Sequence, residues 1–398
     1  MSRVNRRAFL KASGGAATIG ALAGCIGNLT GGGGGPITIG GLEPLSGNFA
    51  PWGAVHQAGL QFAIDEINEN GGVLDGRELE LTVTDTGSDA GQADSSFRRM
   101  VEQEGAVATT GAVSSDVGIR LNQTSLDLEV PHLLHMAGAS EVITEDSQYI
   151  FRVGLVPSVT YVQAQASAFA GDYSSIGAII ADYAWGRAVE SAINEAFDQD
   201  VQIEVAPVGE SDFRSYIRQL DENVEMIVAS GHPPGAVPIA NQVRELGYEP
   251  SVITGASAPP NLLAGGLTEA GRAGYTHPHN TDAYSQGFAD VASRFAETHD
   301  NQFNTHTAYG YVAGQLIAEG LEQAGSTDPV ALADAIRGIE FDTLLSQPIS
   351  YSEYGELDGM QVIYSRITTE TPSYDSDGSF SYEEVGRSDP LPALAPER

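Results

Sequence analysis

The sequence predicts an α/β protein of two doubly wound, Rossmann-like lobes, and three features predict it. From Pro36 onward, short β-branched or apolar runs alternate with stretches of helical period. Several of the short runs, such as SIGAIIA at 175–181, are continuously apolar, as strands covered on both faces of a parallel sheet must be. The alternation turns at 154–157 (GLVP) and then starts again over a similar length, which makes two units rather than one.

The first series opens with a strand at 37–40 (ITIG). A helix over 53–68 follows, with Val55, Gly59, Phe62, Ala63 and Ile67 on one stripe, and Gly71-Gly72 stop it. The strand at 78–85 alternates, placing Leu79, Leu81 and Val83 on one face. A helix over 89–104 ends at Gly105, and 106–110 reads as a buried strand. A helix over 117–128, a strand at 132–135, a short helix near Glu141 and a strand at 149–153 complete the series.

The second series runs helix 159–170, strand 175–181, helix 186–197, strand 201–206, helix 213–220, strand 225–229, helix 236–246 and strand 251–254. Beyond it come amphipathic helices over 284–298, 305–323 and 329–337. Strands at 349–351 and 360–367 are joined by an acidic turn at 356–359. Residues 369–398, rich in Asp, Ser and Pro, read as a loosely packed tail.

Composition narrows the function classes. The formal charge of the 398 residues is -34, from 19 Lys+Arg against 53 Asp+Glu. Such a surface repels nucleic acid and anionic lipid. The hydrophobic content of 41% is that of a folded globule rather than an acidic disordered chain. Lys11 is the one lysine, and an acidic surface almost without lysine resembles proteins of extreme halophiles, in which concentrated salt screens self-repulsion.

The first 24 residues read as a targeting segment. Arg6-Arg7 followed by Ala8-Phe9-Leu10-Lys11 resembles a twin-arginine export signal, and Leu22-Ala23-Gly24-Cys25 resembles the lipobox of exported lipoproteins. Cys25, the only cysteine, is then the lipid anchor, and 25–36 with its five consecutive glycines is a flexible tether. The expected location is the outer face of the cell membrane. Removing 1–24 takes away Arg3, Arg6, Arg7 and Lys11 and no acid. Glycosylation sequons stand at Asn28 and Asn122, the second inside an expected helix.

Catalytic machinery is missing. There is no GxGxxG opening a helix, no GxxxxGK[ST] and no GxSxG elbow, so no phosphate cradle, nucleophile elbow or cofactor is expected. His132 and His135 flank a buried strand with no third ligand nearby in sequence. His277-Pro278-His279, read as following a strand and ending at a loop, is the best metal candidate, yet one ring hydrogen-bonded near a cleft with the other exposed is the simpler account. No metal site is assigned, and an enzyme is not expected. Three loops at successive strand ends are better suited to binding. They are 46–53 with Trp52, 111–116 with Ser115 at a helix start, and 137–140 with Ala139 and Ser140.

These loops carry a resemblance. ITIGGLEPLSGNFAPWGAVHQAGLQFAIDEINENGGV, Gly111 to Ser115, Ala137 to Ser140, Tyr183-Ala184-Trp185-Gly186 and Asp212-Phe213 together resemble the substrate-binding proteins of branched-chain amino acid ABC importers. The resemblance covers roughly 37–367 and implies the type I periplasmic-binding fold, in which the chain crosses between lobes three times. The first lobe is then 37–156 plus 283–337, and the second 158–280 plus 340–368. The resemblance puts Trp52 over the ligand's side chain, Ser115 on its carboxylate, and Ala139 and Ser140 around carboxylate and amine. It sets Trp185 at the mouth of the second lobe and His232 near another aromatic position. The acid expected for an ammonium group falls near Ser257, which is not acidic; Thr276, His277 or Asp282 are substitutes. The implied function is capture of a small polar solute, by family default a branched-chain or related amino acid, by a monomer that delivers it to separate permease subunits. An amide, urea-like compound or carboxylate fits the missing acid, and a sensory ligand-binding module is the alternative role.

Overall fold

The computed structural model describes residues 34–230, 235–368 and 380–396. The expected targeting segment, Cys25, the sequon at Asn28 and His232 lie outside them. Five strands, β1 (Ile37–Glu43), β2 (Leu79–Asp85), β3 (Ala108–Gly111), β4 (His132–Leu134) and β5 (Ile150–Arg152), form a parallel sheet in the order β2-β1-β3-β4-β5. Its crossovers are α1 (Ala50–Glu69), α2 (Ala90–Glu102), α3 (Ser115–Leu128) and a 3-10 turn at Ser140–Val142.

The second sheet starts after α4 (Ser158–Phe169). It contains β6 (Ile176–Ala181), β7 (Val201–Ala206), β8 (Met226–Ser230), β9 (Val252–Gly255) and β10 (Tyr275–His279), with crossovers α5 (Ala184–Ala196), α6 (Arg214–Ile217), α7 (Ala236–Glu245) and α8 (Pro260–Gly266). Helices α9 (Gln286–Ala296), α10 (Thr307–Ala324) and α11 (Pro329–Arg337) come next. Two antiparallel strands, β11 (Ile363–Thr368) and β12 (Ser381–Arg387), then complete the order β12-β11-β10-β9-β8-β6-β7. The continuous apolar runs mark the sheet interiors as expected, with every residue of β6 and β8 buried.

The late helices return to the first sheet because two glycines let them. A β-carbon on Gly59 of α1 would lie 1.9 Å from the Thr307 carbonyl oxygen, and one on Gly310 of α10 would lie 1.9 Å from that of His56. Backbone therefore meets backbone where α1 crosses α10. Helix α1 also begins three residues before the expected start, with Pro51 in its first turn. Its buried stripe carries Trp52, His56, Gly59, Leu60 and Ala63.

Several expectations are corrected. Residues 381–387 are a strand, not loose tail; Glu383 and Glu384 are the solvent-facing charges of an edge strand, and that polarity hid the period. Residues 351–357 pack on β5 rather than in the second lobe. The Arg152 N–H donates to the Gly355 carbonyl at 3.1 Å, the Tyr351 hydroxyl to the Arg152 carbonyl at 2.9 Å, and the Arg152 side chain pairs with Glu356 at 2.6 Å. His277, Pro278 and His279 lie within β10, not after it. Pro278 is tolerated because pairing with β9 stops at Thr276 and the later residues pair with β11. The helix expected over 213–220 is α6, a single turn.

Candidate functional site

The carboxyl ends of the two sheets face each other across a seam, the place where doubly wound folds bind ligands. On the first-lobe side, Asp85 at the end of β2 accepts from the N–H groups of Leu45 (2.8 Å), Ser46 (3.1 Å) and Gly87 (2.8 Å). Hydrogen bonding led by Ser46 holds its carboxyl below the usual range, against the opposing effect of burial. The loop after β1 is thereby fixed and leads into α1, where Trp52 is buried. The Trp52 indole N–H donates to the Ser257 carbonyl oxygen at 3.1 Å, across the seam.

Ser115 begins α3 and is buried, and its hydroxyl oxygen accepts from the Ala139 N–H at 3.1 Å. The loop after β4 is held from behind by the Arg152 guanidinium, which donates to the Ala137 carbonyl. Ser140 exchanges a 3.0 Å hydroxyl contact with Ser158, the first residue of α4. Gly138 is required here. A β-carbon on it would fall 2.4 Å from the Trp185 ring, so only glycine lets the indole seat against the loop. Trp185, in the first turn of α5, donates to the Ser230 hydroxyl at 3.1 Å and meets Tyr161 edge-on at 5.5 Å between centroids. Tyr161 in turn donates to the Gly255 carbonyl at 2.8 Å.

The structure thus gathers Trp52, Ser115, Ala139, Ser140, Trp185 and Ser257 along one seam. Ser257 is buried, with its hydroxyl 3.3 Å from His306 Nε2. His277 stands with Thr305 (3.2 Å) and the rings of His279 and His306, and burial pushes its pKa well down. His279 donates from Nδ1 to the Thr281 carbonyl (2.8 Å) and meets the Ser365 hydroxyl at Nε2 (2.6 Å). Both rings are buried, where one was expected to be exposed: His279 is hydrogen-bonded at both nitrogens, whereas His277 is bonded only at Nε2 and its Nδ1 is buried without a hydrogen-bond partner. Asp282 is occupied by Arg387.

Sequence reading missed a second cluster. Glu43 ends β1 with its side chain fully buried; His135 Nδ1 lies 2.8 Å from its Oε1, and His56 Nδ1 lies 3.7 Å from its Oε2. The third group that His135 lacked in sequence is supplied by the fold, from a strand end and from α1. Burial alone would raise the Glu43 pKa, but His135 and His56 outweigh it and hold the carboxyl below its ordinary value. Burial lowers the His56 pKa despite Glu43. The α1–α10 crossing sets the His56 and His306 rings 5.7 Å apart and nearly parallel, with a 3.4 Å contact from His56 Nε2 to His306 Nδ1. The available signals were a carboxylate ending an apolar strand and a histidine on an apolar helix stripe.

Two α/β lobes, one on an all-parallel sheet and one on a parallel sheet with two antiparallel edge strands, define a bilobed doubly wound fold. The chain matches the periplasmic binding protein family over residues 36–362 and belongs to it. It is 25% identical to the Leu/Ile/Val-binding protein BraC3 of Rhizobium johnstonii over 335 residues, covering 81% of this chain and 89% of that one. It is also 25% identical, over 325 residues, to the leucine-, isoleucine-, valine-, threonine- and alanine-binding protein of Pseudomonas aeruginosa, covering 79% and 85%. The fold is similar to that of the branched-chain amino acid transporter substrate-binding protein of Streptococcus pneumoniae in complex with isoleucine. That match has a TM-score of 0.74, 19% identity, and covers 88% of this chain and 99% of that one. A Rhodopseudomonas palustris solute-binding protein in complex with 3,4-dihydroxybenzoic acid matches with a TM-score of 0.77 and 17% identity, covering 90% and 98%. Among the described residues no helix is long and apolar enough to cross a membrane.

Proposed function

We propose that this chain is the extracytoplasmic solute receptor of an ABC importer, closing its lobes on a small organic solute and handing it to permease subunits. The observation that carries this reading is the seam, where Trp52, Ser115, Ala139 and Ser140 of one lobe meet Trp185 and Ser257 of the other. The solute is a branched-chain or related amino acid, as in the relatives' names. Ser115 and the first-turn N–H groups of α3 suit its carboxylate, and Trp52 covers its apolar part.

A second solute class is favoured by one observation. The Ser257 hydroxyl meets His306 where an amino acid's ammonium needs an acid, so a carboxylate or amide without an amino group fits that corner better. The similarity to a protein in complex with a dihydroxybenzoic acid points the same way. Delivery by a lipid anchor at Cys25, after twin-arginine export into a saline medium, completes the proposal. A sensory role alongside a signalling protein is its alternative.

The test is a thermal-shift screen in molar potassium chloride against amino acids, amides and small carboxylates, since a specific solute raises the midpoint by mass action. Titration calorimetry then compares Ser115→Ala. Loss of a hydrogen bond to a charged oxygen, about 1.5–3 kcal/mol, lowers affinity roughly tenfold to a hundredfold. Unchanged affinity removes Ser115 from the site, and a screen without any hit counts against solute capture. In the cell, Cys25→Ser releases the protein from the membrane fraction; retention after a high-salt, high-pH wash refutes the anchor.

A further inference from the structure

The Glu43 cluster poses a problem of charge that the solute reading does not address. The Thr110 hydroxyl lies 3.0 Å from the Leu133 carbonyl oxygen and 2.5 Å from His135 Nε2. A carbonyl can only accept, so the Thr110 proton goes to Leu133 and the Thr110 oxygen accepts from His135 Nε2–H. His135 therefore turns its other nitrogen, Nδ1, onto a carboxylate oxygen 2.8 Å away. In the neutral ring that nitrogen is a lone pair facing a lone pair, so a cation must stand between them.

A proton could bridge that one contact. It does not account for His56, whose Nδ1 is 3.7 Å from the second carboxylate oxygen, too far for a hydrogen bond. Both Glu43 oxygens and both Nδ1 atoms are buried, and among the described residues they face only one another. All three ligand atoms lie within 4.8 Å of one another. Around an ion with bonds of about 2.0–2.2 Å, neighbouring ligand atoms stand about 3.3–3.5 Å apart, and the 2.8 and 3.7 Å contacts bracket that spacing. The outer contacts fit as well. His135 Nε2 is held by Thr110, and His56 Nε2 by His306, whose own Nε2 reaches Ser257; metal-bound imidazoles commonly have their second nitrogen tied in this way.

We propose that Glu43, His56 and His135 bind a divalent transition-metal ion of intermediate softness, such as Zn²⁺, Co²⁺ or Ni²⁺. Two imidazoles and one carboxylate match that class rather than Mg²⁺ or Ca²⁺, which prefer all-oxygen sites. Three protein ligands leave at least one position open. The inference stands on the cluster alone and is independent of which solute the seam takes.

The test uses the tag-free exported chain, stripped with EDTA and titrated with ZnCl2 and CoCl2 in molar potassium chloride, with bound metal counted by elemental analysis. One ion per chain is expected, with cobalt giving the visible absorption of a nitrogen/oxygen site. Glu43→Gln and His135→Gln weaken binding by more than about a hundredfold, and Thr110→Val, one bond removed, by roughly ten- to a hundredfold. Circular dichroism establishes that each variant is folded; if the ligand variants unfold, Thr110→Val decides. Failure of the folded native chain to take up any of these ions overturns the proposal. So does equal affinity in the folded variants, which would place the ion on the acidic surface. A His135 nitrogen spectrum that remains that of a doubly protonated ring under excess Zn²⁺ does the same, leaving a proton-bridged ion pair. Metal binding can fail while solutes still shift the melting midpoint, so the two readings are separable.

Discussion

The Trp52 indole N–H reaches the Ser257 carbonyl oxygen at 3.1 Å, joining residues 205 apart in sequence and on opposite sides of the seam. On the proposed solute-capture reading, a ligand entering this seam from solvent must part them, and the bond would act as a clasp between the lobes. Trp52→Phe keeps most of the ring and removes the donor. A net loss of about 1 kcal/mol shifts the closed-to-open ratio roughly fivefold. Small-angle X-ray scattering of the solute-free protein should therefore show a larger radius of gyration in the variant. Superimposable profiles at equal concentration would rule out the clasp.

The Arg152–Glu356 pair ties residues 351–357 to the first sheet and, through Arg152 and the Ala137 carbonyl, steadies the loop that carries Ala139 and Ser140. Both side chains are buried, and burial raises the Glu356 pKa despite Arg152. Glu356→Gln leaves a buried guanidinium without its counter-charge, which costs about 3–5 kcal/mol. Joint replacement of the pair, Glu356→Gln with Arg152→Met, should recover much of that loss. Chemical denaturation measures both, and a single variant as stable as the native chain would refute the pair's role.

Charge sets the third expectation. With a formal charge of -34, which the proposed removal of residues 1–24 would deepen by four, the folded surface repels itself, and only dense counterions relieve it. The thermal midpoint should climb between 0.1 M and 3 M potassium chloride, with loosening below roughly 1 M, where screening lengths exceed about 3 Å. A midpoint independent of salt over that range would contradict it.

The contrast between Ser115 and His135 shows what the sequence could reveal. Trp52 and Ser115 stand in the first turns of helices and Ala139 just before a short helical turn, all shortly after strand ends. That strand-turn-helix setting is local, so pattern alone marked them as candidate binding positions. The Glu43 cluster depends on α1 and α10 touching backbone to backbone through Gly59 and Gly310, and on β1 and β4, which flank β3, ending at the same edge of the sheet. No local period encodes such a meeting, and His135 therefore looked partnerless. The same limit applied at the chain's end. Residues 381–387 form a strand only because β11 offers an edge, and their acidic face resembles a solvated tail until that edge is known.

The last expectation concerns acid and His279. Burial in β10 lowers its pKa to about 4, with the Thr281 carbonyl and Asp282 opposing the shift and Arg387 adding to it. In the unfolded chain it titrates near 6.5. The folded state therefore binds fewer protons than the unfolded state between those two values, so stability falls as pH drops through the window. The full contribution is present above about pH 6.5, and below about pH 4 the loss levels off at about 3 kcal/mol. His279→Gln keeps an amide that can donate to Thr281 and accept from Ser365, but it does not titrate. Its unfolding free energy should fall less steeply from pH 7 to pH 4.5 than that of the native chain. A residual slope of the same sign will remain from His132, whose pKa burial lowers to about 3, and from His277. Denaturant titrations at four or five pH values, at constant molar salt, give both slopes. Equal slopes, or a His279 ring that titrates near 6.5 in the folded protein, would show that this histidine takes up its proton without opening the fold.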